Sequence, residues 1–337
     1  MSKSNLTING RRIRANVGDT LIDAGIGGRI LIPHDCFSGQ CETCRVTVAS
    51  GTVDDHGSAD GDTVLACQAT VDGDATIAFD DVPGVNKQSG IVGDILTLSP
   101  EVMEVVVWLS RPFDYLPGQY VSLAFRGFPA RDYSPTVRMN GEVNKRELVF
   151  HIKRLPGGIV SSQLGSGIRG GHRVNIRGPF GRAFLRKPDS GGVLVLVSSG
   201  TGWAPIWSMA RAACQAGMQR DTIVIAGARD MANLYMRPSF DWLADNGIAE
   251  VIATSRTDHG GRIKLGRPDH YLPLLGQSDI VHVAGAPRFV DMVRRKARHA
   301  AARCYADPFL PSQQVPGLGS RIFRLVGRPA QPLEAAE

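Results

Sequence analysis

Three hydrophobic rhythms succeed one another along the chain, and each predicts a different kind of layer. Residues 4–9 and 11–17 alternate apolar and polar positions around Asn9-Gly10, which predicts a β-hairpin closed by a two-residue turn. Residues 19–24 read as a short helix with Asp19 as its N-cap, and residues 45–49 as a further strand. Residues 83–90 have the composition of a linker. Short runs at 91–98, 103–109, 119–125, 147–153 and 173–177, separated by turns with Pro and Gly, then predict a small antiparallel barrel. Beyond Pro188 the rhythm changes. Val193-Leu194-Val195-Leu196-Val197 is a continuous apolar run, as expected of a parallel strand buried on both faces. Residues 222–226, 250–254 and 280–284 repeat that pattern, and a helical stretch runs to Ala216, so this part predicts a parallel α/β layer. Residues 311–337, rich in Pro, Gly and Arg, predict a loosely packed tail.

Composition narrows the class. At 337 residues the chain is long enough for two or three domains, and its 43% hydrophobic and 21% charged residues are those of an ordinary globular protein. No apolar run is long enough to span a bilayer, and Met-Ser-Lys-Ser-Asn leads directly into a polar strand, so no cleaved signal peptide is expected. Charge is unevenly shared. Residues 1–84 carry six Lys and Arg against twelve Asp and Glu, a net −6, which leaves +12 for the rest of a chain whose total is +6. The basic residues form no Lys/Arg tract interleaved with aromatics, so nucleic-acid binding is not the reading. An acidic module on a basic body that attracts small anionic ligands fits better.

The cysteines give that module its chemistry. Cys36, Cys41 and Cys44 stand as C-x4-C-x2-C, and Cys67 follows after 22 further residues. This is the plant-type 2Fe–2S spacing, in which thiolates alone hold both irons. A structural zinc site uses two short C-x2-C knuckles, and only one is present. A Rieske centre replaces two Cys by His, and no Cys here has His two residues on. Gly39 gives the loop a position without Cβ where amide groups must approach sulfide. Glu42 adds a negative charge beside the cluster, which is expected to lower its potential. Cys214 and Cys304 are left over, too few for a disulfide framework, which fits a reducing cytoplasm.

Two constellations remain. Gly200-Thr201-Gly202-Trp203-Ala204-Pro205 joins a buried strand to a helix start, where glycine admits a pyrophosphate to the free N–H groups of the helix N-terminus. Arg131-Asp132-Tyr133-Ser134 lies in the barrel region and means little alone. Asp189-Ser190-Gly191-Gly192 is a protease-like run with no matching His segment upstream, so nucleophilic hydrolysis is set aside.

Residues 1–82 resemble plant-type ferredoxins, and the two later constellations, in this order, resemble the ferredoxin–NADP reductase superfamily. The resemblance to its R-x-Y-S/T motif implies that Arg131 holds the FAD pyrophosphate, Tyr133 packs on the isoalloxazine and Ser134 bonds near flavin N5. His151-Ile152-Lys153, with Gly157, Gly158 and Ser161, resembles the run whose backbone and Ser receive the flavin phosphates. Gly200, Thr201, Gly202 and Pro205 resemble the nicotinamide-dinucleotide loop, while Arg229, Gly285 and Pro287 fall in later dinucleotide-contact segments. Tyr305–Phe309 resembles the terminal segment whose aromatic residue lies against the flavin, which nominates Phe309 beside Tyr133 and Ser134 as catalytic. Ser199, Pro135 and Ala284 depart from the family pattern; Ala284 stands where many relatives have Cys near the nicotinamide.

The whole resembles the reductase component of bacterial aromatic-ring-hydroxylating (Rieske) dioxygenases. The expectation is a multidomain α+β and α/β protein. Residues 1–84 would form a β-grasp 2Fe–2S ferredoxin, 90–187 an antiparallel FAD-binding β-barrel, 188–310 a parallel α/β NAD(P)-binding domain and 311–337 a tail. Electrons would pass from NADH, with NADPH open, through FAD and the 2Fe–2S cluster to a Rieske-type oxygenase component or a small ferredoxin. The chain would act as a cytoplasmic monomer without nucleic acid or membrane partners. A reductase for a diiron monooxygenase, or a carrier or redox sensor with a vestigial nucleotide domain, are the alternatives. Hydride transfer needs alignment rather than a general base, so no acid–base dyad is nominated. The acidic ferredoxin face is expected to dock on a basic partner in a salt-sensitive way.

Overall fold

The computed structural model of the chain describes residues 2–39 and 42–310, so Cys41 and the expected tail lie outside the described residues. The first sheet contains β1 (Lys3–Ile8), β2 (Arg11–Asn16), β3 (Arg45–Asp54), β4 (Thr63–Leu65) and β5 (Thr70–Ala78), with α1 (Leu21–Gly27) across it. Asn9 and Gly10 both take positive φ, the geometry a tight hairpin turn requires, and β1 and β2 pair antiparallel from Lys3↔Asn16 to Ile8↔Arg11. β1 pairs parallel with β5, which pairs antiparallel with β3, so the sheet is mixed in the order β2-β1-β5-β3-β4. Leu6, Ile8, Leu21, Ile22, Val46 and Ile77 close its core. The helix begins two residues later than expected. Thr20, not Asp19, is the N-cap: its hydroxyl oxygen accepts the Asp23 N–H at 3.1 Å, while the Asp19 carboxylate accepts from Asn16.

The second sheet is antiparallel in the order β10-β7-β6-β11-β8-β9. Its strands are β6 (Asn86–Ser99), β7 (Val102–Leu109), β8 (Tyr120–Phe125), β9 (Arg131–Tyr133), β10 (Glu147–Lys153) and β11 (Arg173–Phe180). A single bridge between Thr136 and Val149 brings the chain after β9 back to β10, so the sheet curls towards closure. The stretch expected to be linker is shorter than its composition implies. From Asn86 onward it is already strand, paired with β11 from Gly178 to Arg173, because a half-exposed barrel strand tolerates polar residues such as Lys87 and Ser89.

The third sheet is wholly parallel in the order β15-β14-β13-β12-β16-β17. It contains β12 (Leu194–Ser199), β13 (Thr222–Ala228), β14 (Glu250–Ser255), β15 (Lys264–Leu265), β16 (Ile280–Gly285) and β17 (Arg303–Pro308). Helices α2 (Trp203–Gln215) and α3 (Pro238–Asp245) cover one face, and α4 (Pro287–His299) covers the other. The alternation within the apolar run explains both cores. Leu194 and Leu196 pack under Ile206 and Ala210, whereas Val195 and Val197 pack under Val290 and Val293. The last strand, β17, carries the aromatic terminal segment and pairs parallel with β16 from Ile280↔Arg303 to Gly285↔Pro308.

No helix among the described residues is long and apolar enough to cross a membrane. The three layers are joined by side chains as well as by the backbone. The Gly181 N–H donates to Thr43 in the cysteine loop (3.2 Å), and Arg177 pairs with Asp35 (2.8 Å).

Candidate active site

A cleft of about 2210 Å³ runs between the barrel, the parallel sheet and the first domain. That exceeds by about twofold the upper end of ordinary small-molecule pockets, which reach roughly 1,000 Å³. Arg131, Tyr133 and Ser134 line one wall, Gly200, Thr201, Gly285 and Pro287 another, and Cys36 reaches its edge. Thus the three sequence constellations, spread over some 270 residues of numbering, open onto one space.

The nucleotide wall owes its shape to close backbone packing. Gly202 sits so near the end of β16 that a Cβ would run into the Ala284 carbonyl, and one on Gly285 would stand 2.6 Å from the Ser199 oxygen. Gly200 takes φ +59 with nothing within 4 Å of a hypothetical Cβ. Pro205 lies in the first turn of α2, whose start has no side-chain cap. Uncapped N–H groups at an open, Cβ-free loop fit a pyrophosphate. Pro287 occupies the first turn of α4.

The barrel wall is arranged for a large planar ligand with a phosphate end. Tyr133 ends the edge strand β9, with its ring centroid 6.3 Å from that of Phe150, and burial pushes its phenol up to about 12. Among the described residues Arg131 bonds only its neighbour's carbonyl (Ala130, 2.7 Å), which leaves most of its fork for a ligand. Gly157 and Gly158 form the turn before a short 3-10 helix at Ser161–Gln163, and Ser161 accepts the Leu155 N–H at 3.1 Å. Phe309 follows β17, and its N–H donates to the Gly285 carbonyl at 2.8 Å, which ties the aromatic segment to the nucleotide wall.

Three nominated side chains are placed differently from the simple expectation. His151 is turned away from bulk solvent. Its Nδ1 lies 3.2 Å from the Tyr235 hydroxyl and its Nε2 3.6 Å from Glu104, and burial pulls its pKa down against the raising effect of Glu104. Its contribution to the cleft is therefore local backbone and packing. Lys153 and Arg229 converge on one carboxylate: Glu101 pairs with both at 2.8 Å, and Arg229 also pairs with Asp230 at 3.0 Å. Ser255 is fully buried and donates to Asp258.

A residue that the sequence does not nominate completes the wall. The Ser134 hydroxyl donates to Asp307 Oδ2 at 3.2 Å, and burial raises the Asp307 pKa from 3.8 to about 6. The sequence points to no dyad, yet a serine and a near-neutral-titrating carboxyl stand together here. Asp307 carries one signal, an acid inside an otherwise aromatic segment, but its partner lies 173 residues away.

In the first domain, Cys44 is buried and Cys36 and Cys67 are half-buried. The Ser38 N–H points at Cys36 Sγ (3.4 Å), and Gln68 Nε2 reaches Cys67 Sγ (3.6 Å) as well as the Phe37 carbonyl (3.2 Å). N–H donors aimed at sulfur, with thiols as the donor set, fit thiolate ligands of an iron–sulfur cluster. Glu42 does not stand as an isolated charge. It lies 3.4 Å from Arg45 and 3.6 Å from Arg294, so the negative field expected beside the cluster is compensated.

These features define an oxidoreductase that combines an iron–sulfur carrier with flavin and nicotinamide sites. Residues 6–72 match the 2Fe-2S iron-sulfur cluster binding domain, 90–184 the oxidoreductase FAD-binding domain and 196–295 the oxidoreductase NAD-binding domain. The chain is 30% identical over 329 residues to the ferredoxin–NAD(P)(+) reductase component of a Pseudomonas putida naphthalene 1,2-dioxygenase system, covering 90% of this chain and 97% of that one. It is 32% identical over 259 residues to the reductase subunit of an Amycolatopsis aromatic O-demethylase, covering 71% and 76%. The solved structure of Amycolatopsis cytochrome P450 reductase GcoB matches with a TM-score of 0.67 at 26% identity, covering 92% of this chain and all of that one. The chain belongs to the family of ferredoxin–NAD(P)+ reductase components of multicomponent aromatic oxygenase systems. It is an oxidoreductase that binds a 2Fe–2S cluster, FAD and NAD(H).

Proposed function

We propose that this chain takes reducing equivalents from NADH and delivers single electrons to an aromatic-ring-hydroxylating system, through a small ferredoxin or directly to a Rieske-type oxygenase component. The observation that carries this reading is the one cleft shared by the Gly200–Gly202 loop, the Arg131–Ser134 strand and Cys36. FAD, when bound, supplies the conversion of a hydride into single electrons, and the cluster supplies a one-electron exit.

The chain's own residues bind, orient and handle protons. Arg131 offers a guanidinium fork to pyrophosphate oxygens, with Gly157 and Ser161 presenting backbone N–H groups beside it while the Gly158 N–H closes the turn on the Leu155 carbonyl. The α2 N-terminus and its glycine loop hold the nicotinamide dinucleotide, with Gly285 and Pro287 beside them. Tyr133 and Phe309 flank the planar ligand and keep water out. Ser134 Oγ, with Asp307 behind it, holds a proton at the wall of the cleft; a carboxyl with a pKa of about 6 exchanges that proton near neutral pH.

Pairing at the far end supports NADH over NADPH. Arg229 is already engaged by Glu101 and Asp230, and the Ser255 hydroxyl by Asp258. A 2′-phosphate would have to displace carboxylates from Arg229, whereas a ribose 2′-OH is suited to an acidic neighbour. The chain is read as a cytoplasmic monomer, with four cysteines committed to metal and the remaining two apart in sequence.

Anaerobic stopped-flow mixing with NADH tests the reading. The flavin band should bleach first and the iron–sulfur bands should follow. A flavin band unmoved by either nucleotide would refute it.

A further inference from the structure

Part of the charge that separates the first domain from the rest of the chain is spent on pairs between them. Asp60 pairs with Arg298 at 3.0 Å, Asp35 with Arg177 at 2.8 Å and Glu42 with Arg294 at 3.6 Å. These pairs ring the contact between the first domain and the body, and most have at least one well-exposed side chain. The acidic face expected to meet a basic partner therefore meets this chain's own arginines first.

One contact differs in kind. Arg186 donates through both terminal nitrogens to the two oxygens of Asp80, at 2.8 and 2.6 Å, and Arg182 adds a third donor at 3.4 Å. The Arg186 guanidinium also lies over the Phe184 ring (4.1 Å) and the Tyr305 ring (4.3 Å). Tyr305 stacks in turn on the fully buried His282, with ring centroids 5.2 Å apart and planes at 20°. One side chain thus joins the first domain (Asp80), the segment leaving the barrel (Phe184) and the last strand of the parallel sheet (Tyr305). A planar fork bonded through both terminal nitrogens and stacked on aromatic rings has little freedom left, so less entropy is lost per hydrogen bond.

Position in the chain gives the contact leverage. β5 ends at Ala78 and β6 begins at Asn86, so Asp80 stands at the root of the peptide segment that connects the two domains. Free rotation about residues 81–85 would sweep the cysteine loop away from the cleft. A clamp at residue 80 removes that rotation at its origin, while the exposed pairs farther out are screened by salt.

We infer that Asp80 and Arg186 form a latch that fixes the iron–sulfur domain over the cleft, and that the exposed acid–arginine pairs only trim its orientation. Asp80 is then a positioning residue, which lines the cleft but holds Arg186 rather than a cofactor. It also follows that an external acceptor approaches another face of the first domain while the latch is closed. The placement rests on contacts within the chain; its kinetic consequence rests on the electron route proposed above.

The test uses the full-length holoprotein and its Asp80→Asn variant, with cluster content checked by visible absorption. Small-angle scattering is recorded at about 0.05 and about 0.5 M salt, which span strong and weak screening. The wild type should keep one radius of gyration at both. Asp80→Asn should be larger, and larger still in high salt, because only screened pairs remain. Arg186→Lys, which leaves the first domain's sequence intact but cannot fork or lie flat between two rings, should open in the same way. In stopped flow, both variants should bleach the flavin at the wild-type rate and reduce the cluster about tenfold more slowly. Variants as compact as the wild type at both salts would overturn the latch. So would a wild type that opens with salt as readily as they do, since the exposed pairs would then carry the contact. Variants that open yet reduce the cluster at the wild-type rate would refute the electron route and leave the latch standing.

Discussion

Ser134 and Asp307 are hydrogen-bonded at 3.2 Å across 173 residues of chain, one just past the barrel's edge strand and the other on the last strand of the parallel sheet. The pair makes the domain junction itself part of the chemical site. It also has a thermodynamic signature. Burial raises the folded-state pKa of Asp307 to about 6 from 3.8, so the folded protein holds this proton more tightly than the unfolded chain does. Stability from this group is fully present below pH 3.8 and is lost as pH rises through about 6. The rise from 3.8 to about 6 is equivalent to roughly 3 kcal/mol as an upper bound. Asp307→Asn should therefore raise the thermal midpoint at pH 8 while changing it little at pH 4, as read by calorimetry. The same variant should slow NADH oxidation at neutral pH and flatten its pH profile.

Gly200 and Gly202 share one short motif, and substitution separates their roles. A Cβ on Gly202 has nowhere to go against the Ala284 carbonyl, so Gly202→Ala should cost about 1–3 kcal/mol through overpacking and weaken NADH binding sharply. Gly200→Ala meets no neighbour but must hold φ +59, which costs about 1–2 kcal/mol. Thermal unfolding with nucleotide titration should rank Gly202→Ala as the more damaging.

Nucleotide choice is testable at Glu101. Removing its charge frees Lys153 and Arg229 from a shared carboxylate. Glu101→Gln should raise the NADPH-to-NADH ratio of kcat/KM by about tenfold, equivalent to about 1.4 kcal/mol. An unchanged ratio would mean that the 2′-position lies elsewhere.

Glu42, read from sequence alone, depresses the cluster potential, but Arg45 and Arg294 stand beside it. Glu42→Gln leaves both arginines unopposed and should raise the midpoint, by on the order of 59 mV, the tenfold interval for one electron. A redox titration followed by visible absorption reads this directly.

Each of the three layers and each local motif is legible along the chain, because those depend on short-range regularities. Alternation at period two marks a sheet with one solvated face, as in the Asn9-Gly10 hairpin and the barrel strands. A continuous apolar run marks a strand covered on both sides, as Leu194–Ser199 is by α2 and α4. Cysteine spacing and the Gly-Thr-Gly turn are local for the same reason: a cluster and a pyrophosphate each demand several groups from one short segment. Local reading failed where a boundary was decided by pairing. Thr20 won the helix cap from Asp19 because Asn16 took the aspartate, and strand began at Asn86 because β11 was there to receive it.

Which charges remain available is settled by packing in three dimensions. Nothing in the sequence pairs Asp80, Glu42, Lys153 or Arg229, and each meets an opposite charge from a distant segment. Serine, aspartate and arginine carry no mark of their long-range partners, since hydrogen bonds and ion pairs act over a few ångströms in space whatever the separation along the chain. The pairing of Ser134 with Asp307 and the clamp of Arg186 on Asp80 therefore came into being only when three separately legible layers were packed together.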